Sequence, residues 1–263
     1  MGRIGERFKV IRSRGKKAFI PFFTAFYPSP ELFRELLLTA DEEGSDFVEI
    51  GIPFSDPLAD GKMIQHSSHW SLERGFSLPR LLEEVARIKE EVNTSLILMS
   101  YLNPIVARGI EKFGRELKEA GVDGVIVPDL PLEESFPLKE VLSANGIDLI
   151  YLVAPTTSEE RIRRIGDQSS GFIYLVSLTG VTGVRDKLPQ DLVSYVERVR
   201  KATPKPICVG FGISNAEQAK RVAELADGVI IGSAIVSLIK GREEEKEVLQ
   251  EIRAFLKSLR RVI

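Results

Sequence analysis

The stretch Pro21–Pro30, PFFTAFYPSP, decides between two folds. It overlaps the end of the first apolar run, Ala18–Phe23, where an open doubly wound sheet usually carries a glycine-rich nucleotide fingerprint. It contains no glycine. Seven further runs follow: Phe47–Ile50, Leu96–Tyr101, Gly124–Val127, Leu149–Val153, Phe172–Val176, Ile207–Val209 and Gly228–Ile231. They are rich in Ile, Val, Leu and Phe and do not alternate with polar residues, as expected of parallel strands buried on both faces. Helical patterns separate them. In Ser29–Gly44, Ser29 suits the N-cap and Pro30 the first helical position, Leu32, Phe33, Leu36, Leu37 and Ala40 form one stripe, and Gly44 fits the stop. Leu78–Glu91, Glu111–Ala120, Leu132–Ala144, Glu159–Ile165, Gln190–Lys201, Ala216–Leu225 and Glu243–Leu259 read as helices too, with Ser214 and Glu217 as a capping box. Eight strand–helix repeats predict an α/β chain, a single (β/α)₈ TIM-barrel domain over residues 1–263. An extra helix is expected at the N-terminus and another after strand two.

Composition narrows the function. Hydrophobic residues make up 43% and charged residues 28% of the chain, with a net charge of −2. That is ordinary for a globular protein and offers no basic footprint for nucleic acid. No apolar run is long enough to span a membrane. Arg3–Lys17 is locally basic, but Ile4, Phe8 and Ile11 recur at helical spacing, so it is expected to be an amphipathic helix covering one end of the barrel. The single cysteine, Cys208, excludes a disulfide within the chain and reads as a buried thiol. A cytoplasmic protein is expected.

Two connections are longer than a barrel needs. Gly51–Phe76 holds an extra helical piece, Met63–Arg74, and Ser177–Pro189 is rich in glycine and threonine. Such loops lie at the C-terminal mouth, where catalytic residues gather. Asp46–Gly61, DFVEIGIPFSDPLADG, feeds the first of them. Glu49 lies inside an apolar strand, which is costly unless the carboxylate is paired or used. It reads either as a salt-bridged core residue or as one of two acids dividing proton donation from proton acceptance. Asp56 and Asp60 are then turn formers, or one of them is the second acid.

Strands seven and eight end in glycine-bearing segments, Val209–Ser214 (VGFGIS) and Val229–Val236 (VIIGSAIV). The loops after these two strands are the usual phosphate site of this architecture, with backbone amides of Gly212, Gly232 and Ser233 and the Ser233 hydroxyl as donors. His66 and His69 lie three apart in the inserted helix without a third ligand pattern, so no metal is expected. No lysine falls within a predicted strand, which argues against imine chemistry. Tyr101 and Tyr174 fall at strand ends, where a phenol either orients a substrate or packs. Asp129 is either a site residue or the start of the next helix.

Nearly the whole chain resembles the tryptophan synthase alpha subunit family. The resemblance is carried by FIPFFTA, VEIGIPFSDPLADGKMIQ, MSYLNPI, GVDGVIVPDLPLEE, LVAPTTSEERI, GFIYLVSLTGVTG, VGFGIS and GVIIGSAIV, in that order. It implies retro-aldol cleavage of indole-3-glycerol phosphate to indole and glyceraldehyde 3-phosphate, with no cofactor of its own. Glu49 matches the family's acid/base and Asp60 the carboxylate that accepts the indole N–H. Phe22, Tyr101 and Tyr174 are expected beside the substrate. Thr182 matches a threonine of the mobile loop, and Gly183, Phe211, Gly212, Gly232 and Ser233 match the phosphate site. The implied partner is a pyridoxal-phosphate-bearing beta subunit in an αββα assembly, faced by Pro53, Asp56, Asn103, Pro104, Asp129 and Pro131. Phe26 stands where the family usually has glycine, and Lys62 where proline is frequent. Two other readings are a metal-free phosphosugar isomerase and a non-catalytic activator of a beta partner. The first gives the Glu49–Asp60 loop no role, and retention of both carboxylates speaks against the second.

Overall fold

The computed structural model describes residues 2–176, 191–210, 212–242 and 244–263. Eight parallel strands close a barrel in chain order. They are β1 (Ala18–Thr24), β2 (Phe47–Gly51), β3 (Ser95–Met99), β4 (Gly124–Ile126), β5 (Asp148–Val153), β6 (Ile173–Leu175), β7 (Ile207–Val209) and β8 (Gly228–Ile231). Around it run α1 (Arg3–Ser13), α2 (Pro30–Glu42), α3 (Lys62–Glu73), α4 (Leu78–Glu91), α5 (Leu102–Arg108) and α6 (Ile110–Glu119). They continue as α7 (Phe136–Ala144), α8 (Glu159–Gln168), α9 (Leu192–Ala202), α10 (Ala216–Leu225), α11 (Ser233–Ile239) and α12 (Glu245–Arg260).

The strands are buried on both faces because two apolar layers meet them. Inside the barrel, Ile20, Phe47, Ile97, Ile126, Ile150, Phe172, Cys208 and Ile230 pack together. A separate, larger cluster fills the space between the strands and the outer helices. The inner cluster continues into Ile4, Phe8 and Ile11 of α1, so that helix closes the floor of the barrel. The Phe8 ring stacks on Phe47 at 5.0 Å and tilts against Phe172 at 5.7 Å. Burying a ring of that size is worth about 2–3 kcal/mol. The strand–helix loops gather at the opposite, C-terminal end.

Local chemistry sets the ends of the elements. Ser29 caps α2 by accepting from the Leu32 N–H, with Pro30 at the first position. The cap of α10 lies one residue later than Ser214–Glu217 implies. Asn215 accepts from the Gln218 N–H, and Gln218 Oε1 in return accepts from the Ser214 N–H at 2.8 Å. The helix expected over Leu132–Ala144 is broken into a 3₁₀ turn, Leu132–Glu134, and α7, with Pro137 in the first turn of α7. The N-terminal helix stops at Ser13, ahead of Gly15 at φ +64°, and not at Lys17. The short helices α5 and α11 are additions to the expected set. Consequently β3 ends at Met99, and Tyr101 is the N-cap of α5 instead of a strand residue.

Candidate active site

The register of the barrel decides which side chains meet at the mouth. Phe22 of β1 pairs with Glu49 of β2, and Glu49 with Ile97 of β3. On β6, Tyr174 pairs with Leu152 and Cys208. Above the inner core these positions open into a hollow of about 760 Å³, counted out to its open mouth. Its apolar walls are Phe22, Ile64, Met99, Ile126, Leu152 and Ile230. Glu49 and Asp60 face it from β2 and the loop that follows, Tyr174 from β6 across the barrel, and Gly212, Gly232 and Ser233 line it after β7 and β8.

Glu49 is fully buried, and neither carboxylate oxygen has a hydrogen-bond partner among the described residues. The reading of Glu49 as a salt-bridged core residue is therefore not what the structure has. A buried, unpaired carboxylate resists ionisation, and the charge of Asp60 adds to the effect. Together they push its pKa up to about 8.

Asp60 comes from the loop between β2 and α3. Burial raises its pKa to about 6, against the Tyr101 hydroxyl, whose hydrogen bond favours the charged form. That hydroxyl donates to Asp60 Oδ2 at 3.0 Å and accepts from the Ala59 N–H at 3.0 Å. The phenol itself is pushed above its ordinary range by burial and by Asp60. Its ring stacks on Phe54 at 5.1 Å, and Ser68 of α3 holds the Phe54 backbone by accepting from its N–H and donating to its carbonyl. Tyr101 thus ties down the loop between β2 and α3, where the sequence offered only orienting a substrate or packing.

Two close approaches depend on missing side chains. A Cβ on Gly51 would stand 2.5 Å from the Phe22 ring, and one on Gly210 would stand 2.4 Å from the Tyr174 hydroxyl. Glycine at these places lets the tips of both rings approach the neighbouring strand closely. Burial together with the charges of Glu49 and Asp60 holds the Tyr174 phenol well above its ordinary pKa, hence neutral and able to donate. At the far side of the hollow, Gly212 adopts φ +65°, and Gly232 is the N-cap of α11, whose first residue is Ser233. The expected amide donors are therefore grouped at one end of the cavity. Thr182, Gly183 and Phe211 lie outside the described residues, as does the loop Ser177–Pro189.

Among the residues expected to face a partner, Asp56, Asn103, Asp129 and Pro131 are exposed, Pro104 is half-buried and Pro53 is buried. Leu58, Val106 and Phe136, large apolar side chains exposed on the same or adjoining segments, were not singled out from the sequence. Nor were the walls Met99, Ile126 and Leu152. Their inward-facing phase, shared with Ile97, Gly124 and Ile150, was available in the strands as a period of two. Among the described residues no group of three or more His, Cys, Asp or Glu side chains could hold a metal, and His69 instead meets Glu73 at 3.2 Å. Among the described residues no helix is long and apolar enough to cross a membrane.

The family model described as Tryptophan synthase alpha chain matches residues 8–263. Relatives carrying that name include one from Synechococcus elongatus, 46% identical over 256 residues that cover 96% of each chain. Another, from Thermoanaerobacter sp. (strain X514), is 43% identical over 263 residues and the full length of both. The crystal structure of tryptophan synthase subunit alpha from Legionella pneumophila str. Paris superposes with a TM-score of 0.92 at 37% identity, covering 100% of this chain and 98% of that one. A chain from the tryptophan synthase complex of Pyrococcus furiosus gives 0.85 at 35% identity, covering 92% and 97%. Family match, identity over the full length and barrel geometry agree: the chain belongs to the tryptophan synthase alpha chain family, lyases that cleave indole-3-glycerol phosphate.

Proposed function

We propose that Glu49 and Asp60 divide the work of that cleavage between a proton-carrying and a charge-stabilising carboxylate. The observation that carries this reading is the split in their environments. Near neutral pH, Glu49 with a pKa of about 8 is held protonated, and Asp60 with a pKa of about 6 is ionised. Glu49 gives its proton to the ring carbon that bears the glycerol side chain, and Asp60 accepts the indole N–H as positive charge develops on the ring. The Glu49 carboxylate then takes the proton of the adjacent hydroxyl. The carbon–carbon bond breaks, its electron pair restores the indole, and the alkoxide becomes the aldehyde of glyceraldehyde 3-phosphate. Glu49 ends as it began, protonated.

The other assignments complete this reading. Phe22 and Tyr174 flank the ring, and Tyr101 holds Asp60. The amides of Gly212, Gly232 and Ser233 receive the phosphate, with Gly183 and Phe211 assigned to the same site and Thr182 to the loop that closes over it. The chain has no cofactor of its own in this reading. Indole passes to a pyridoxal-phosphate-dependent beta subunit in an αββα assembly, docked on Asp56, Asn103, Pro104, Asp129 and Pro131, with Pro53 shaping the loop from beneath. All of this is borne on one barrel domain in the cytoplasm.

The test is the rate of indole release by the purified full chain. Glu49→Gln is expected to abolish release, a loss of at least about 10²-fold for removal of a general acid/base. Near-normal turnover in that variant ends the assignment. The wild-type rate is expected to rise through about pH 6 as Asp60 ionises and fall above about pH 8 as Glu49 loses its proton. The two limbs belong to the coupled pair. A profile flat across that window contradicts the division of roles.

A further inference from the structure

We propose that Asp129 is a positioning residue for this reaction: it anchors the start of α5, which carries Tyr101, and through Tyr101 it holds Asp60 in place. The proposal rests on the role given to Asp60 above. Asp129 lies in the loop after β4, and its Oδ1 accepts from the Leu102 N–H at 2.9 Å. That N–H is the first of α5, and Tyr101, the residue before it, makes no side-chain cap of its own. A seven-residue helix is marginal alone and leaves its N-terminal donors without partners. The Asp129 carboxylate supplies one acceptor and a negative charge at the positive end of the helix.

The Tyr101 side chain then spans to the catalytic loop, touching it at the Ala59 N–H and at Asp60 Oδ2, both at 3.0 Å. Residues from three successive strand–helix connections therefore converge on one carboxylate: Asp60 after β2, Tyr101 after β3, Asp129 after β4. Misplacing a reacting group by about 1 Å costs on the order of 10² in rate. The Asp60 backbone is held by its N–H to the Pro57 carbonyl at 3.0 Å and by Gln65 Nε2 on its carbonyl at 2.8 Å, and its carboxylate by the Tyr101 hydroxyl. Tyr101 is the titratable group that lowers the Asp60 pKa against burial, and the Asp60 charge in turn raises Glu49 from β2, Tyr174 from β6 and Tyr101, with Asp129 adding to the rise at Tyr101.

Steady-state cleavage of indole-3-glycerol phosphate by the full chain alone, followed as indole release, tests this. Asp129→Ala is expected to lower kcat about tenfold and leave KM within about twofold, since the phosphate end of the cavity is untouched. Asp129→Asn keeps an acceptor oxygen and is expected to recover most of the loss. Tyr101→Phe is expected to match Asp129→Ala, and the double variant to be no worse than Tyr101→Phe alone. Because the Tyr101 hydrogen bond lowers the Asp60 pKa, the acid limb of the pH profile moves to higher pH in Tyr101→Phe and Asp129→Ala, but not in Asp129→Asn. Wild-type kcat and acid limb in Asp129→Ala overturn the proposal. So do losses that multiply in the double variant, or an Asp129→Asn enzyme as impaired as Asp129→Ala. Asp60→Asn is measured beside them. Normal turnover there removes the role of Asp60 and the proposal with it, whereas a dead Asp60→Asn beside a normal Asp129→Ala removes only Asp129.

Discussion

Glu49 shows what the site costs the fold. Its carboxyl is neutral in the folded chain up to about pH 8, whereas in an unfolded chain it ionises near its ordinary value of 4.5. Below that value both states are protonated and nothing is lost. Between the two values the unfolded chain releases a proton that the folded chain keeps, so stability falls as pH rises, and above about pH 8 the penalty is constant. The penalty amounts to roughly 5 kcal/mol at its fullest. Glu49→Gln removes a group that must stay neutral and replaces it with one that always is. The variant is therefore expected to be near wild type at about pH 4 and more stable by a few kcal/mol at about pH 8, measured as the shift of the urea midpoint. An equal offset at both pH values would show that Glu49 carries no such strain. That a carboxylate sat in an apolar strand was plain from the sequence. That it has no partner was not, because pairing depends on side chains from strands far away in the chain.

At the scale of single elements, the turn between β1 and α2 holds the one non-glycine residue with positive φ among those described, Phe26 at +60°. A positive φ is the conformation that suits the glycine expected here from the family resemblance. The left-handed conformation costs a residue with a Cβ about 1–2 kcal/mol. The ring offsets that cost by burial, packed edge-on to Phe33 at 5.6 Å and beside Phe76 at 5.9 Å, with the Arg80 guanidinium 5.7 Å from its centre. Phe26→Gly loses the ring but relieves the backbone, while Phe26→Ala loses the ring and keeps the strain. Alanine is thus expected to be the worse substitute by about 1 kcal/mol, read from thermal midpoints, the reverse of the usual order of the two residues. Equal midpoints would mean the turn is unstrained. The elements that sequence reading missed failed for local reasons. SAIVSLI of α11 follows β8 after the single residue Gly232 and is apolar apart from Ser233 and Ser237, and α5 is seven residues long with a proline inside it. The capping box slipped by one because Asn215 is itself a good N-cap.

Across the whole molecule, function occupies the mouth and stability the floor, and the floor has a repeat. Asp46, Asp123 and Asp227 stand immediately before an even-numbered strand and Ser170 three residues before β6, and each exchanges two bonds with one residue of the strand before it. Asp46 donates its N–H to the Phe19 carbonyl and accepts the Phe19 N–H on Oδ2; Asp123 does the same with Leu96, Asp227 with Ile207, and Ser170 with Leu149 through its hydroxyl. The carbonyls of the three aspartates then accept from Ser95, Asp148 and Ala18 at the start of the next strand. The signal is present in the sequence as DFVEI, DGVIV and DGVII at 46, 123 and 227, but spacing alone does not say that the aspartate side chain turns back to cap a neighbour. Asp123 is the most buried of the three and holds Lys89 at 3.0 Å and Arg3 at 3.3 Å besides the Leu96 N–H. Removing its carboxylate leaves the half-buried Lys89 ammonium with the Thr94 carbonyl but no counter-charge, and takes the acceptor from the buried Leu96 N–H. Asp123→Ala is therefore expected to cost about 3–5 kcal/mol in urea unfolding. The cavity at the other end of the strands keeps its walls and carboxylates, so kcat for indole release should stay within about twofold of wild type wherever the variant is folded. A large loss of kcat in folded Asp123→Ala would mean that floor and mouth are coupled through the strands, and the separation of stability from catalysis along the barrel axis would fail.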